Sequence, residues 1–206
     1  MKIAQLLQAA AVAALFASGA ASAAVNMIQN GDFETYTVAV ASGGYTMVGA
    51  GSSAITGWTI GDVSVDLIKN SYGSVTGTSV DMLGTPGPGS LSQSFSYAAN
   101  TTYTLSFDLS RNPNGSYTAL SVDVNGIHNE YIGTSLANTQ TFSFTTGQTA
   151  GAQLLRFSSI NGDGYSGAVL DNVTLTAAVP EPASYAMLLG GLGLMGFMAR
   201  RRSAAK

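Results

Sequence analysis

An all-β fold, an antiparallel jelly-roll β-sandwich, is what the central part of this sequence predicts, on three observations. Apolar residues recur with period two: Tyr103, Leu105, Phe107 and Leu109 alternate with Thr102, Thr104, Ser106 and Asp108, so one strand face is apolar and the other polar. Similar runs are bounded by clusters of Gly, Asn, Pro and Ser, the residues that make turns. Between them no amphipathic stretch of helical period is long enough for a helix, which leaves sheet packed on sheet.

In chain order the first element is residues 1–23, which read as a secretory signal. Met1-Lys2 begins with a positive charge, Ile3 to Ala17 is mostly apolar, and Ala21-Ser22-Ala23 makes a cleavage site of small residues. Residues 24–178 are the length of one domain with a proper core. Its strand runs are Val63-Val65-Leu67, Val80-Met82, Leu91-Gln93-Phe95, Tyr103 to Leu109, Leu120-Val122-Val124, Phe142-Phe144, Leu155-Phe157 and Val173-Leu175, so eight or more strands are expected. Their polar faces carry Thr and Ser rather than Lys and Glu.

The whole chain has a net charge of −3, but residues 24–178 hold ten acidic side chains against three basic ones, a net of −7. Such a surface repels phosphate backbones, so nucleic acid is not an expected partner. There is no cysteine. An exported domain of this kind relies on its core rather than on disulfides, and a bound metal would need oxygen ligands or the single histidine, His128.

The last element, residues 179–206, contains an uncharged run from Ala183 to Ala199. As a helix it is about 25 Å long, just enough to cross a hydrocarbon core. Arg200, Arg201 and Arg202 follow at once, which places the C-terminus in the cytoplasm and the domain outside.

Two motifs frame the domain: "QNGDFE" (Gln29 to Glu34) opens it and "AVLDNVTL" (Ala168 to Leu175) closes it. If the first and last strands lie side by side, Glu34 and Asp171 converge, and two carboxylates with backbone carbonyls suit calcium. The same residues also read as a turn at Asn30-Gly31 and a strand-edge aspartate bonded to a backbone amide.

The segments "NMIQNGDFE", "AITGWTIGDVSVDLI", "GSLSQSFSYAANTTYTLSFDLSRNP" and "VLDNVTL", in that order, resemble the bacterial choice-of-anchor C family. That family is similar to plant cell-wall proteins with a galactose-binding-like jelly roll and, more loosely, to carbohydrate-binding modules. In those modules the matching glutamate and aspartate serve a structural calcium, which the resemblance carries to Glu34 and Asp171. The tail resembles a PEP-CTERM sorting signal: Val179-Pro180-Glu181-Pro182, a spanning segment, then the arginine cluster. This implies recognition and cleavage by an exosortase, a membrane protease-transpeptidase, in a Gram-negative bacterium that makes exopolysaccharide and biofilm matrix.

Catalytic signatures are weak. One histidine and no cysteine cannot make the usual tetrahedral zinc set. "NGIHNEY" around His128 reads as a turn and strand edge, and "GTSLA" lacks the last glycine of a nucleophile elbow. Asp123 and Glu130 are carboxylates of the type glycosidases use, but acidic loop residues are usually just solvated. Trp58, at the start of a strand, is expected in the core. Tyr72, Tyr117 and Tyr165, each flanked by Gly, Asn or Ser, are the candidates for stacking on sugar rings. The expected protein is a non-catalytic envelope or matrix protein that binds carbohydrate; a structural coat protein without a small ligand and an exported hydrolase are the alternatives.

Overall fold

The computed structural model describes residues 24–161, 164–178, 190–193, 195, 196 and 200. Residues Val25–Ala178 form one compact unit, and Met1–Ala24 with Val179–Lys206 form a second. In the second unit Gly190, Gly191, Leu192, Gly193, Met195, Gly196 and Arg200 are helical. Among the described residues no helix is long and apolar enough to cross a membrane. The expected signal peptide, Pro180-Glu181-Pro182, Arg201, Arg202 and most of the span 183–199 lie outside the described residues.

Eleven strands build the larger unit: β1 (Tyr45–Gly49), β2 (Thr59–Asp62), β3 (Ser64–Lys69), β4 (Thr78–Asp81), β5 (Gly89–Tyr97), β6 (Thr102–Arg111), β7 (Ala119–Val124), β8 (Ile127–Ile132), β9 (Asn138–Thr145), β10 (Gly151–Asn161) and β11 (Ala168–Ala177). They form a six-stranded sheet, ordered β1-β3-β4-β11-β6-β9, and a five-stranded sheet, ordered β2-β5-β10-β7-β8. The named pairings are antiparallel. This is the jelly-roll sandwich that the period-two pattern predicts.

The core lies between the sheets, where the alternating residues meet. Leu105, Phe107 and Leu109 of β6 pack with Leu120 and Val122 of β7, Leu155 and Phe157 of β10, and Leu170 and Leu175 of β11. Phe107 makes edge contacts with Phe157 at 5.2 Å and Tyr131 at 5.1 Å between ring centroids. Trp58 is buried, as expected, 5.4 Å from Phe33, and its indole N–H donates to Asn30 O at 3.0 Å.

One expected run needs correction. Val63 does not share a strand with Val65 and Leu67; it precedes β3 and is 44% exposed, because Asp62 adopts φ 58° and breaks the extended backbone there. In β3, moreover, both faces are buried from Ser64 to Ile68, since loops cover the face that period two would leave in water. "NGIHNEY" is a turn and an edge strand, as read: Asn125 and Gly126 both have positive φ, the geometry of a two-residue hairpin turn, and β8 follows at the sheet edge.

Candidate functional site

The opening motif is built into the last strand. Met27 N donates to Leu175 O at 2.8 Å, and Asn26 Oδ1 accepts from Ile28 N and Leu175 N. Asn30 turns the chain with φ 53°; its side chain accepts from Thr35 N and donates to Thr35 O and Thr56 O. Gly31 then lies against β11, with Val173 N donating to Gly31 O at 2.9 Å, and a Cβ at Gly31 would run into Val173 O. Phe33 enters the core and Glu34 emerges beyond it.

Glu34 and Asp171 are brought to one segment, residues 76–79. Glu34 Oε1 accepts from Thr78 N at 2.6 Å. Asp171 Oδ2 accepts from Thr76 N, Thr76 Oγ1 and Ser79 Oγ, each at 3.0 Å, and Oδ1 accepts from Asn172 N at 2.7 Å. Burial raises the Asp171 carboxyl above its ordinary value against these donors. Calcium here would have Glu34 and Asp171 as its acidic ligands and would displace the Thr76 and Thr78 amides from them. Among the described residues no group of three or more His, Asp or Glu gathers around a point that could hold a metal.

A cleft of about 300 Å³ opens on the outer face of the six-stranded sheet, lined by Tyr45, Asp66, Ile68, Tyr72, Asp81, Thr85, Asn112, Asn114, Tyr165 and Ser166. Tyr72 and Tyr165 are two of the three tyrosines that the sequence singles out. Tyr117 is half exposed but does not line this cleft. Sequence reasoning missed Tyr45. It stands on β1 opposite Ile68, is 50% exposed, and packs edge-on against Tyr72 with ring centroids 5.9 Å apart. The reversed alternation of "YTMVG", with Tyr45 and Met47 exposed and Val48 buried, was the available signal.

Two aspartates form the floor and tie down the loops that wall it. Asp66 of β3 and Asp81 of β4 are cross-strand partners, 4% and 1% exposed. Asp66 accepts from Thr85 N at 3.1 Å and Thr85 Oγ1 at 3.0 Å. Asp81 Oδ1 accepts from Leu83 N and Gly167 N, and Oδ2 from Asn112 Nδ2 at 2.8 Å. One carboxylate thus joins three chain segments. Burial outweighs these donors and pushes Asp81 up to about 7; it also raises Asp66.

The histidine lies on the other sheet. His128 Nδ1 is 2.7 Å from Asp123 Oδ1, Nε2 is 3.6 Å from Glu130, and all three side chains are exposed on the β7–β8 hairpin. The Asp123 hydrogen bond raises the imidazole above its ordinary value.

Residues 26–176 match the family described as "Protein of unknown function (DUF642)". The chain belongs to that family. Residues 178–202, after the DUF642 domain, match the PEP-CTERM protein-sorting motif, which implies export to the cell envelope or surface. No curated protein matches the chain. Among solved structures, the DUF642 domain is similar to a family 4 carbohydrate-binding module (19% identity, 73% of this chain and 99% of the other, TM-score 0.46). A family 35 module from Clostridium thermocellum follows with 16% identity over 63% of this chain and 97% of the other, TM-score 0.41. A family 36 module, solved with calcium and xylotriose, shares 22% identity over 63% of this chain and 98% of the other, TM-score 0.43.

Proposed function

We propose that this is a surface-sorted, non-catalytic protein of the bacterial envelope or extracellular matrix, whose domain binds carbohydrate in the Tyr45–Tyr72–Tyr165 cleft. The observation that carries this reading is the convergence of three tyrosines from separate parts of the chain over a polar floor. Tyrosine faces stack on the C–H faces of pyranose rings, while Asn114, Asn112 and Thr85 offer amide and hydroxyl groups to sugar hydroxyls. Sorting by an exosortase, with loss of the tail near Pro180-Glu181-Pro182, delivers the domain to that location in a Gram-negative host. A structural calcium on Glu34 and Asp171 belongs to the same proposal, joining the opening motif to β11.

The cleft's two carboxylates do not suit hydrolysis. A glycosidase needs carboxyl groups on either side of the scissile bond, about 5–9.5 Å apart. Asp66 and Asp81 sit side by side on one floor and are bound to loop donors. Isothermal titration of the full chain in detergent with exopolysaccharide fragments tests the reading. Tyr72→Ala and Tyr165→Ala should each weaken binding about tenfold, the loss of one good stacking contact, with melting unchanged. Wild-type affinity in both variants would overturn the cleft as the site, and an inert wild type would favour the structural coat protein.

A further inference from the structure

We propose that the ligand class of this cleft is a cationic amino-sugar polymer, a glycan carrying free ammonium groups, a proposal that rests on the carbohydrate reading above. Three features of the cleft discriminate among glycans. First, its floor holds two buried carboxylates on neighbouring strands, and among the described residues no basic side chain lines the cleft. The three basic residues of the domain are engaged elsewhere: Lys69 donates to Tyr36 OH, Arg111 to the Gly115 and Ser116 carbonyls, and Arg156 to Asp62 and Ser90. A uronate or a sulfated sugar would find no cation among the described lining residues.

Second, the carboxylates keep acceptor capacity. A carboxylate can accept about four hydrogen bonds, whereas Asp66 receives two, both from Thr85, and Asp81 three, from Leu83, Gly167 and Asn112, so Asp66 keeps the larger share. Buried charges in folded proteins are ordinarily paired. Among the described residues that line the cleft none carries a positive charge to pair with these carboxylates, and burial raises both carboxyls. An ammonium group seated above Asp66 supplies the missing charge, whereas a neutral sugar leaves the pair uncompensated. Third, the walls are tyrosine rings, whose faces attract cations as well as sugar C–H groups.

The test is titration of the full chain in detergent, at 0.15 M salt, with three oligomers: a fully deacetylated β-1,4-glucosamine hexamer, its N-acetylated counterpart and a galacturonate hexamer. The expected result is at least tenfold tighter binding of the deacetylated hexamer than of either other probe. Asp66→Asn should remove that preference by removing the charge while keeping the loop in place: the Asn Oδ1 can accept from Thr85 N as the carboxylate does, and its Nδ2 can donate to Thr85 Oγ1, reversing the bond in which that hydroxyl donates to Asp66 Oδ2. Asp123→Asn removes the same charge from the opposite sheet and should leave the preference intact. Equal loss in the two variants would reveal only a general attraction of the acidic domain for cations and overturn the proposal. Preference for the acetylated or galacturonate hexamer, if still abolished by Tyr72→Ala, would overturn the ligand class while the carbohydrate site stands. Failure of every hexamer to bind would sink both.

Discussion

Trp58 shows how one side chain joins the opening motif to the core. Its indole N–H reaches Asn30 O in the turn, and its ring lies between Phe33 and Phe157. Trp58→Ala should destabilise the domain by roughly 3–5 kcal/mol, the usual cost of emptying a buried aromatic site, measured by chemical denaturation. Wild-type stability would contradict the packing. Asp81 gives a second expectation, with a sign. Its folded value of about 7 lies above the unfolded value of roughly 3.9, so the native state holds a proton that the unfolded chain releases. Stability must therefore fall as pH rises from about 4 through about 7, by an amount on the order of a few kcal/mol. Asp66 and Asp171 are raised too and act in the same direction; Asp62, lowered by its bonds to Ser90 and Arg156, opposes them only where pH falls through its own folded value. His128, raised, adds stability that is present below its unfolded value and lost as pH rises through its folded one. Melting should peak in mild acid, and Asp81→Asn should flatten the slope.

At the level of elements, the sandwich ties its ends together through β11. The opening segment runs along it, Asn26 pairing with Thr176, and the register breaks between Asp171 and Thr174 where Asn172 takes φ 49°. That irregularity directs Asp171 to residues 76–79 and lets Asn172 Nδ2 reach Asp108 Oδ2 at 2.9 Å. Gly77, at φ 51°, leaves space that a Cβ would take from the Glu34 carboxylate. If calcium joins this junction, a chelator should lower the melting temperature of the wild type, by the amount mass action lends a folded-state ligand, about 2.7 kcal/mol at a hundredfold excess over Kd. Glu34→Gln should then melt lower in calcium and ignore the chelator. An unshifted wild type in calorimetry would leave the Thr76, Thr78 and Ser79 hydrogen bonds as the whole of the tie.

For the molecule as a whole, the sorting motif implies export to the cell envelope or surface, and the proposed processing of the tail would leave the acidic domain displayed there. The Pro180-Glu181-Pro182 sequence stands directly before the apolar run. Mass spectrometry of protein extracted from the cell surface should find a C-terminus near that motif rather than at Lys206, and Glu181→Ala should hold the full-length chain in the membrane. A surface protein still ending at Lys206 would reduce the tail to a permanent anchor.

The sequence by itself determined the sandwich, its core and the two ends. Period-two alternation in β6, β7 and β10, the Asn125-Gly126 turn and the "NGDFE" and "LDNV" frames are local patterns, and each constrains the backbone within a few residues. It also marked Tyr72 and Tyr165 as loop aromatics. Only the tertiary structure decided that these two share a cleft with Tyr45, and that Tyr117 stands apart. It alone placed Asp66 opposite Asp81 and raised both by burial, because strand register and the loops folded over the outer sheet face are set by contacts between residues far apart in the chain. Asp66 and Asp81 read in sequence as the polar half of alternating strands; four loops closing over that face turn them from solvated charges into the buried floor of a site.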